Sequence, residues 1–264
     1  MSSAHGGQPF RVLVSGASGM VGRALIAALS VPSAVNRFRP EVFRLVRRPP
    51  TSPFEIQWCP MSQNIDLARC EGFDAVVHLA GENVGSGDGL LAFTGRWTDA
   101  KRHRILESRR RGTQLIAQAC GAVSNKPRVL VAASGAGFYG LRRGDELLDE
   151  ASPKGSGFLA EVADVWEAST APATRAGVRV VNLRFGMILS REDGALGECA
   201  GGGMGDLQRV CVRVVCVYFF CVGMSVVADR PFSTNSLQPS CTGLFSLVVA
   251  GPSARESSGC PGSR

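Results

Sequence analysis

With 264 residues, 45% of them apolar and 19% charged, the chain can bury a sizeable core and does not fall in the disordered class. A formal net charge of +7, carried mostly by arginine, suits a nucleic acid, an acidic membrane or a phosphorylated cofactor equally well. The nine cysteines include no Cys-x-x-Cys pair, so no metal site and no disulfide framework are expected, and the thiols read as reduced core residues.

Met1 to Pro9 carries neither an apolar signal core nor an Arg-rich amphipathic helix, so no targeting segment is expected. A cytoplasmic location follows, with an organelle in view only if sequence precedes Met1. Phe10 to Val14 is a short apolar run that reads as a buried strand. It leads into Gly16-x-x-Gly19-x-x-Gly22, and Arg23 to Leu29 reads as the start of a helix. A strand, three glycines at this spacing and a helix form a pyrophosphate cradle. The first glycine turns the chain, the second admits the phosphates and the third lets the helix close on the strand, while free helix N–H groups face the anion. Ser18, Met20 and Val21 share this loop with Gly16, Gly19 and Gly22 and complete the expected cofactor contacts.

Glu41 to Val46 is the second predicted strand, and it ends in Arg47-Arg48. In a dinucleotide fold this end lies beside the adenosine ribose, where an acid selects NAD and an arginine suits the 2′-phosphate of NADP. Arg47 is the first candidate and Arg48 the second, so NADP is the expected cofactor with NAD as the alternative. Phe54 to Trp58 reads as a third strand and Asp74 to Gly81 as a fourth. The unbroken hydrophobicity of the fourth fits a parallel sheet covered on both faces. Leu79, Ala80 and Gly81 at its end would let a cofactor lie against backbone, and His78 within it reads as a structural core residue.

Gly85 to Gly95 reads as a mobile glycine-rich loop and Thr98 to Cys120 as a long helix with a basic first half. Without aromatic interleaving or a reader motif, that run is a solvated helix face and no nucleic-acid partner is expected. Arg128 to Ala133 is a fifth strand leading to Ser134 and Tyr139, Gly155 to Thr174 contains a helix, and Val178 to Arg184 is a sixth strand. Ser134, just past a strand's carboxyl end, is placed to hold a substrate carbonyl or alcohol. The alternation predicts an α/β, doubly wound parallel sheet, a Rossmann fold, over residues 10–195.

Several of these segments together resemble the extended short-chain dehydrogenase/reductase superfamily, and within it the atypical, YfcH-like epimerase-family branch. The matching pieces are the glycine triplet, His78-Leu79-Ala80-Gly81-Glu82-Asn83, Arg96-Trp97-Thr98 with Glu107-Ser108-Arg109, and Ser134 to Gly140. Gly157 to Glu161 with Trp166-Glu167, and Leu183 to Leu189, complete the set. The resemblance implies an NAD(P)-binding Rossmann domain with redox or epimerase chemistry at a carbohydrate-like or carbonyl substrate. A homo-oligomer is compatible with it.

The chain departs from that pattern twice. The superfamily's Tyr-x-x-x-Lys pair is absent from the helix beginning Phe158-Leu159-Ala160-Glu161-Val162, which leaves Ser134 and, as the nearest phenol, Tyr139 as catalytic candidates. The absence also raises an alternative function, a non-catalytic dinucleotide sensor or regulatory protein. The second departure is residues 196–264, where the branch's substrate-binding lobe is missing or replaced by a divergent tail expected to have no fold of its own. Its apolar part, Val214 to Ala228, is shorter than the roughly 20 residues of a membrane span, so no membrane association is expected. A β-hairpin is a second reading of it. The reading adopted is sequence foreign to the family, as a retained intron or a frameshift near residue 197 would produce.

Overall fold

The computed structural model describes residues 9–30, 40–84, 97–140, 143–186 and 188, together with the backbone of 244–246. Eight strands form one sheet: β1 (Arg11–Ser15), β2 (Glu41–Val46), β3 (Glu55–Cys59), β4 (Asn64–Ile65), β5 (Ala75–His78), β6 (Val129–Gly135), β7 (Arg179–Phe185) and β8 (Leu244–Ser246). The helices are α1 (Met20–Ser30), α2 (Asp99–Ala122), α3 (Phe158–Ala168) and α4 (Ala171–Arg175). The strand order is β4-β3-β2-β1-β5-β6-β7-β8, parallel except where β4 meets β3. The order reverses between β1 and β5, so a crevice opens there at the carboxyl ends of both strands.

The strands form where the sequence is continuously apolar because both faces of the sheet are covered. Period-two alternation then sorts the side chains. Leu13, Ile56, Val76, Leu130 and Val180 point to one face and pack with Leu115, Ile116 and Ala117 of α2 and Ala173 of α4. Val12, Val14, Val77, Val129, Val131 and Val181 point to the other and pack with Leu25 of α1.

Thr98 stands outside α2 as its cap, its hydroxyl accepting from the Lys101 amide at 3.2 Å, with Asp99 in the first turn to favour the helix dipole. The helix expected within Gly155 to Thr174 is two helices: Ser169 and Thr170 close α3 onto Val165 and Glu167 carbonyls, and Pro172 opens α4. The fifth predicted strand runs on through Ser134 to Gly135 because Ala133, Ser134 and Gly135 register against Leu183, Arg184 and Phe185. The two-residue β4 has no periodicity of its own and exists through its pairing with Trp58 and Cys59.

Cys59 is exposed, which corrects its assignment as a core thiol, whereas Cys70 and Cys120 are buried and free. Burial pushes the Cys70 thiol up to about 11 and the Cys120 thiol up to about 12. Among the described residues no helix is long and apolar enough to cross a membrane. Of the tail, only the Leu244–Ser246 backbone is described, in parallel register with Asn182 to Arg184. The 85–95 loop and the Val214–Ala228 run lie outside the described residues.

Leu130 sits at the centre of the sheet with no exposed surface. Leu130→Ala is expected to lower the free energy of unfolding by about 2–5 kcal/mol, read as a lower denaturant midpoint at unchanged slope.

Candidate functional site

The carboxyl edge of β1 is built by close approach. Ser15 registers against Leu45 of β2 and His78 of β5, so Gly16 turns at the level where β5 ends. Gly16 takes φ +70°, and a Cβ on it would stand 2.7 Å from the Leu79 carbonyl carbon and 2.8 Å from the Ala80 nitrogen. A Cβ on Gly22 would stand 2.2 Å from the Gly16 carbonyl oxygen. Neither position accepts a side chain without moving backbone. Gly19 donates to the Gly16 carbonyl at 3.0 Å, closing the turn. Ser18 and Gly19 are exposed, Met20 and Val21 half-buried at the start of α1.

The first turn of α1 holds no acidic side chain. Its N-terminal amides and dipole therefore have no carboxylate of the same turn to repel an anion. Arg23 folds over the loop and donates to the Ser18 carbonyl at 2.7 Å, a cation at the loop that the glycine spacing alone does not reveal.

Ser15 was invisible to motif reading, yet it ties the loop to the opposite wall. Its hydroxyl oxygen accepts from the Leu79 and Ala80 amides at 3.2 and 3.4 Å, and it lies 2.6 Å from His78 Nδ1. With both lone pairs facing donors, the hydroxyl proton is left for Nδ1, which assigns the neutral tautomer with hydrogen on Nε2. That nitrogen has no hydrogen-bond partner. The ring packs edge-on to Trp58, centroids 6.0 Å apart. Burial first, then the nearby Arg109 charge, holds His78 at about 3 and therefore neutral.

At the end of β2 the two arginines divide. Arg48 forks onto both Glu55 carboxylate oxygens at 2.7 and 2.8 Å, and this hydrogen bonding draws Glu55 down to about 2. Arg47, two residues beyond the Leu45–Ser15 register, is exposed and has no hydrogen-bond or ionic partner among the described residues. The geometry leaves Arg47 available and Arg48 committed.

Beyond β5, Leu79 and Ala80 are half-buried and Gly81 is exposed. The segment that follows is held by α2: the Glu82 amide donates to Ser108 Oγ at 3.1 Å, and Lys101 Nζ reaches Glu82 Oε1 at 2.8 Å. The basic run of this helix is largely engaged within the molecule. Arg110 and Arg111 bind Glu107, which they draw down to about 2, and Arg102 lies over the Phe158 ring at 5.3 Å.

Ser134 and Tyr139, expected to face a substrate, are each 3% exposed and stand in a buried network. Ser134 Oγ donates to Glu167 Oε1 at 2.6 Å. Arg184 grips the same carboxylate through Nε at 2.8 Å and Nη2 at 2.9 Å. Its Nη1 donates to the Tyr139 hydroxyl, which in turn donates to the Asp149 carbonyl, each at 2.9 Å. Burial works against the Arg184 charge, and Glu167 and Tyr139 outweigh it, so its pKa is raised. The reason for the placement is register: Ser134 lies directly beside Arg184 on β7, turned toward α3. Both hydroxyls thus serve an ion pair that the strand and helix patterns did not disclose. At the start of α3, where the sequence carries no Tyr-x-x-x-Lys pair, Phe158 packs against Trp97 at 5.6 Å, and Val162, four residues on, is buried. Among the described residues no group of three His, Cys, Asp or Glu could hold a metal ion.

A neutral buried His78 gives a signed pH dependence. The unfolded chain takes up a proton near 6.5 and the folded one near 3, so stability rises with pH across that window and is lost as acid is added. Between about pH 6 and 5, wild type is expected to lose roughly 1 kcal/mol per pH unit in denaturant titrations. His78→Leu should flatten that slope; an unchanged slope would mean that His78 is not the group.

The model of the NAD dependent epimerase/dehydratase family matches residues 12–196. An epimerase family protein of Mycobacterium leprae is 36% identical over 185 residues, covering 70% of this chain and 55% of that one. The human epimerase family protein SDR39U1, solved with NADPH, superposes with a TM-score of 0.57 at 30% identity, over 72% of this chain and 58% of that chain. A nucleoside-diphosphate sugar epimerase from Corynebacterium glutamicum superposes with a TM-score of 0.59 at 36% identity, over 74% of this chain and 38% of that chain. The chain spans little more than half the length of the curated relatives it matches. Within that span the glycine turn, the switch-point crevice and the matched sequence coincide, and the chain belongs to the NAD dependent epimerase/dehydratase family.

Proposed function

We propose that the chain binds NADP across the crevice between β1 and β5. The observation that carries this reading is the backbone contact at Gly16 and Gly22, which only a side-chain-free turn permits, set at the start of a helix without an acidic first turn. The residues fit the group. Gly16, Ser18, Gly19, Met20, Val21 and Gly22 form the turn and helix start on which the pyrophosphate rests, the Gly19 amide closing the turn and Arg23 alongside. Arg47 takes the 2′-phosphate, and Leu79, Ala80 and Gly81 form the shelf toward the nicotinamide. The NADPH in the human SDR39U1 structure supports the choice of cofactor.

Bound NADP supplies a hydride donor or acceptor. The family suggests a reductase or epimerase acting on a carbonyl or carbohydrate-like substrate. A second reading, a dinucleotide-responsive regulatory protein, is favoured by a specific observation. Phe158 and Val162 have no proton to exchange, and the Ser134 and Tyr139 hydroxyls are committed to Glu167 and Arg184. Turnover across sugar-nucleotide and ketone substrates separates the two. A cytoplasmic setting fits the free Cys70 and Cys120 thiols.

NADPH is expected to bind more tightly than NADH in fluorescence titrations. Arg47→Glu should reduce the preference at least tenfold, about 1.4 kcal/mol, with NADH binding little altered. Equal preference before and after the substitution would remove Arg47 from the site.

A further inference from the structure

Arg109 is a cation in an unusual position. It projects from α2 against the end of β5, and its guanidinium lies over the Trp166 ring at 4.7 Å. Nη1 donates to the Glu82 and Ile105 carbonyls, each at 3.1 Å. Nε and Nη2 have no protein partner among the described residues, and no carboxylate there lies within ion-pair distance. Burial draws its pKa down to about 10, opposed by the more distant Glu82 charge. A half-buried guanidinium without a carboxylate is a costly arrangement unless something negative completes it. The Trp166 indole N–H on the ring beneath it is also buried and unpartnered.

Gly81 lies against one side of Arg109, where a Cβ would stand 3.4 Å from Cζ and 3.6 Å from Nη1 and Nη2, and the arginine side chain, only half-buried, keeps an edge open to solvent beside it. Gly81 itself is exposed at the β5 edge of the crevice. The phosphates of NADP are already provided for elsewhere in the reading above: the pyrophosphate at the β1 turn, the 2′-phosphate at the end of β2. Arg109 is on the other side of the switch point, between β5 and α3, where the crevice continues away from the adenosine end.

We propose that Arg109 is a specificity-determining residue that receives a carboxylate or phosphate of the substrate beside Gly81, so that this chain acts on an anionic substrate. The planar fork suits either oxyanion, the Trp166 stack fixes its plane, and the low-dielectric setting strengthens the pairing. The assignment of the anion to substrate rests on the NADP reading; the existence of an anion site at Arg109 does not.

The test is calorimetric titration of the full chain with inorganic phosphate and with malonate, with and without saturating NADPH. Wild type saturated with NADPH is expected to bind at least one of the two saturably. Arg109→Gln should weaken that binding at least tenfold while NADPH affinity stays within about twofold. Arg109→Lys, which keeps the charge and loses the fork, should fall between them and serves where Arg109→Gln does not fold. Absence of saturable anion binding, or binding that neither substitution changes, would overturn the proposal. A tenfold loss of NADPH affinity in Arg109→Gln would overturn it too, by assigning the guanidinium to the cofactor. Wild type that binds the anion at Arg109 but no NADPH would sink the NADP reading and leave the anion site standing.

Discussion

The site depends on how closely the turn after β1 rests on the end of β5. Two or three ångströms separate the place where a Gly16 side chain would begin from the Leu79 and Ala80 backbone. Gly22 is pressed against Gly16 in the same way, which brings the α1 N-terminus onto the strand. Ser15 fixes this contact from beneath by accepting both amides of the opposing strand end. The crevice at the switch point is therefore a pre-formed gap between two walls joined at their base. Its base is set by backbone contact.

The fold was legible because the physics that builds it is local and repetitive. Continuous apolar runs marked the buried parallel strands, and the glycine triplet marked a turn that admits no Cβ. The division between Arg47 and Arg48 was legible only in part. Adjacent arginines look alike in sequence, and Glu55, which takes one of them, arrives from the next strand. His78 was readable as a core residue, while its bond to Ser15, sixty-three positions earlier, depends on the register between two strands. The partners of Ser134 and Tyr139 were hidden for the same reason. Position past a strand end says that a side chain is near ligand, but Arg184 and Glu167, brought in by β7 and α3, turn both hydroxyls inward.

Losing the Tyr-Lys pair does not leave the region beside α3 empty. Phe158 is packed between Trp97 and Arg102, and below it the Glu167–Arg184 pair joins helix to sheet through Ser134 and Tyr139. Breaking such a pair by removing one partner leaves an uncompensated buried charge, so the network locks the wall on which a ligand would rest. In the proposed reading, Arg47 on one side of the crevice and Arg109 on the other receive anions, a task that needs charge and not an exchangeable proton.

The central claim is that the β1 turn and the β5 end form one dinucleotide crevice. Amide hydrogen exchange with and without NADPH tests it most directly, because protection is read residue by residue. The account predicts that cofactor slows exchange together at Gly19 to Gly22 and at Leu79 to Gly81, with β3 and β4 unchanged. Protection confined to other elements, or to one wall of the crevice alone, would contradict it.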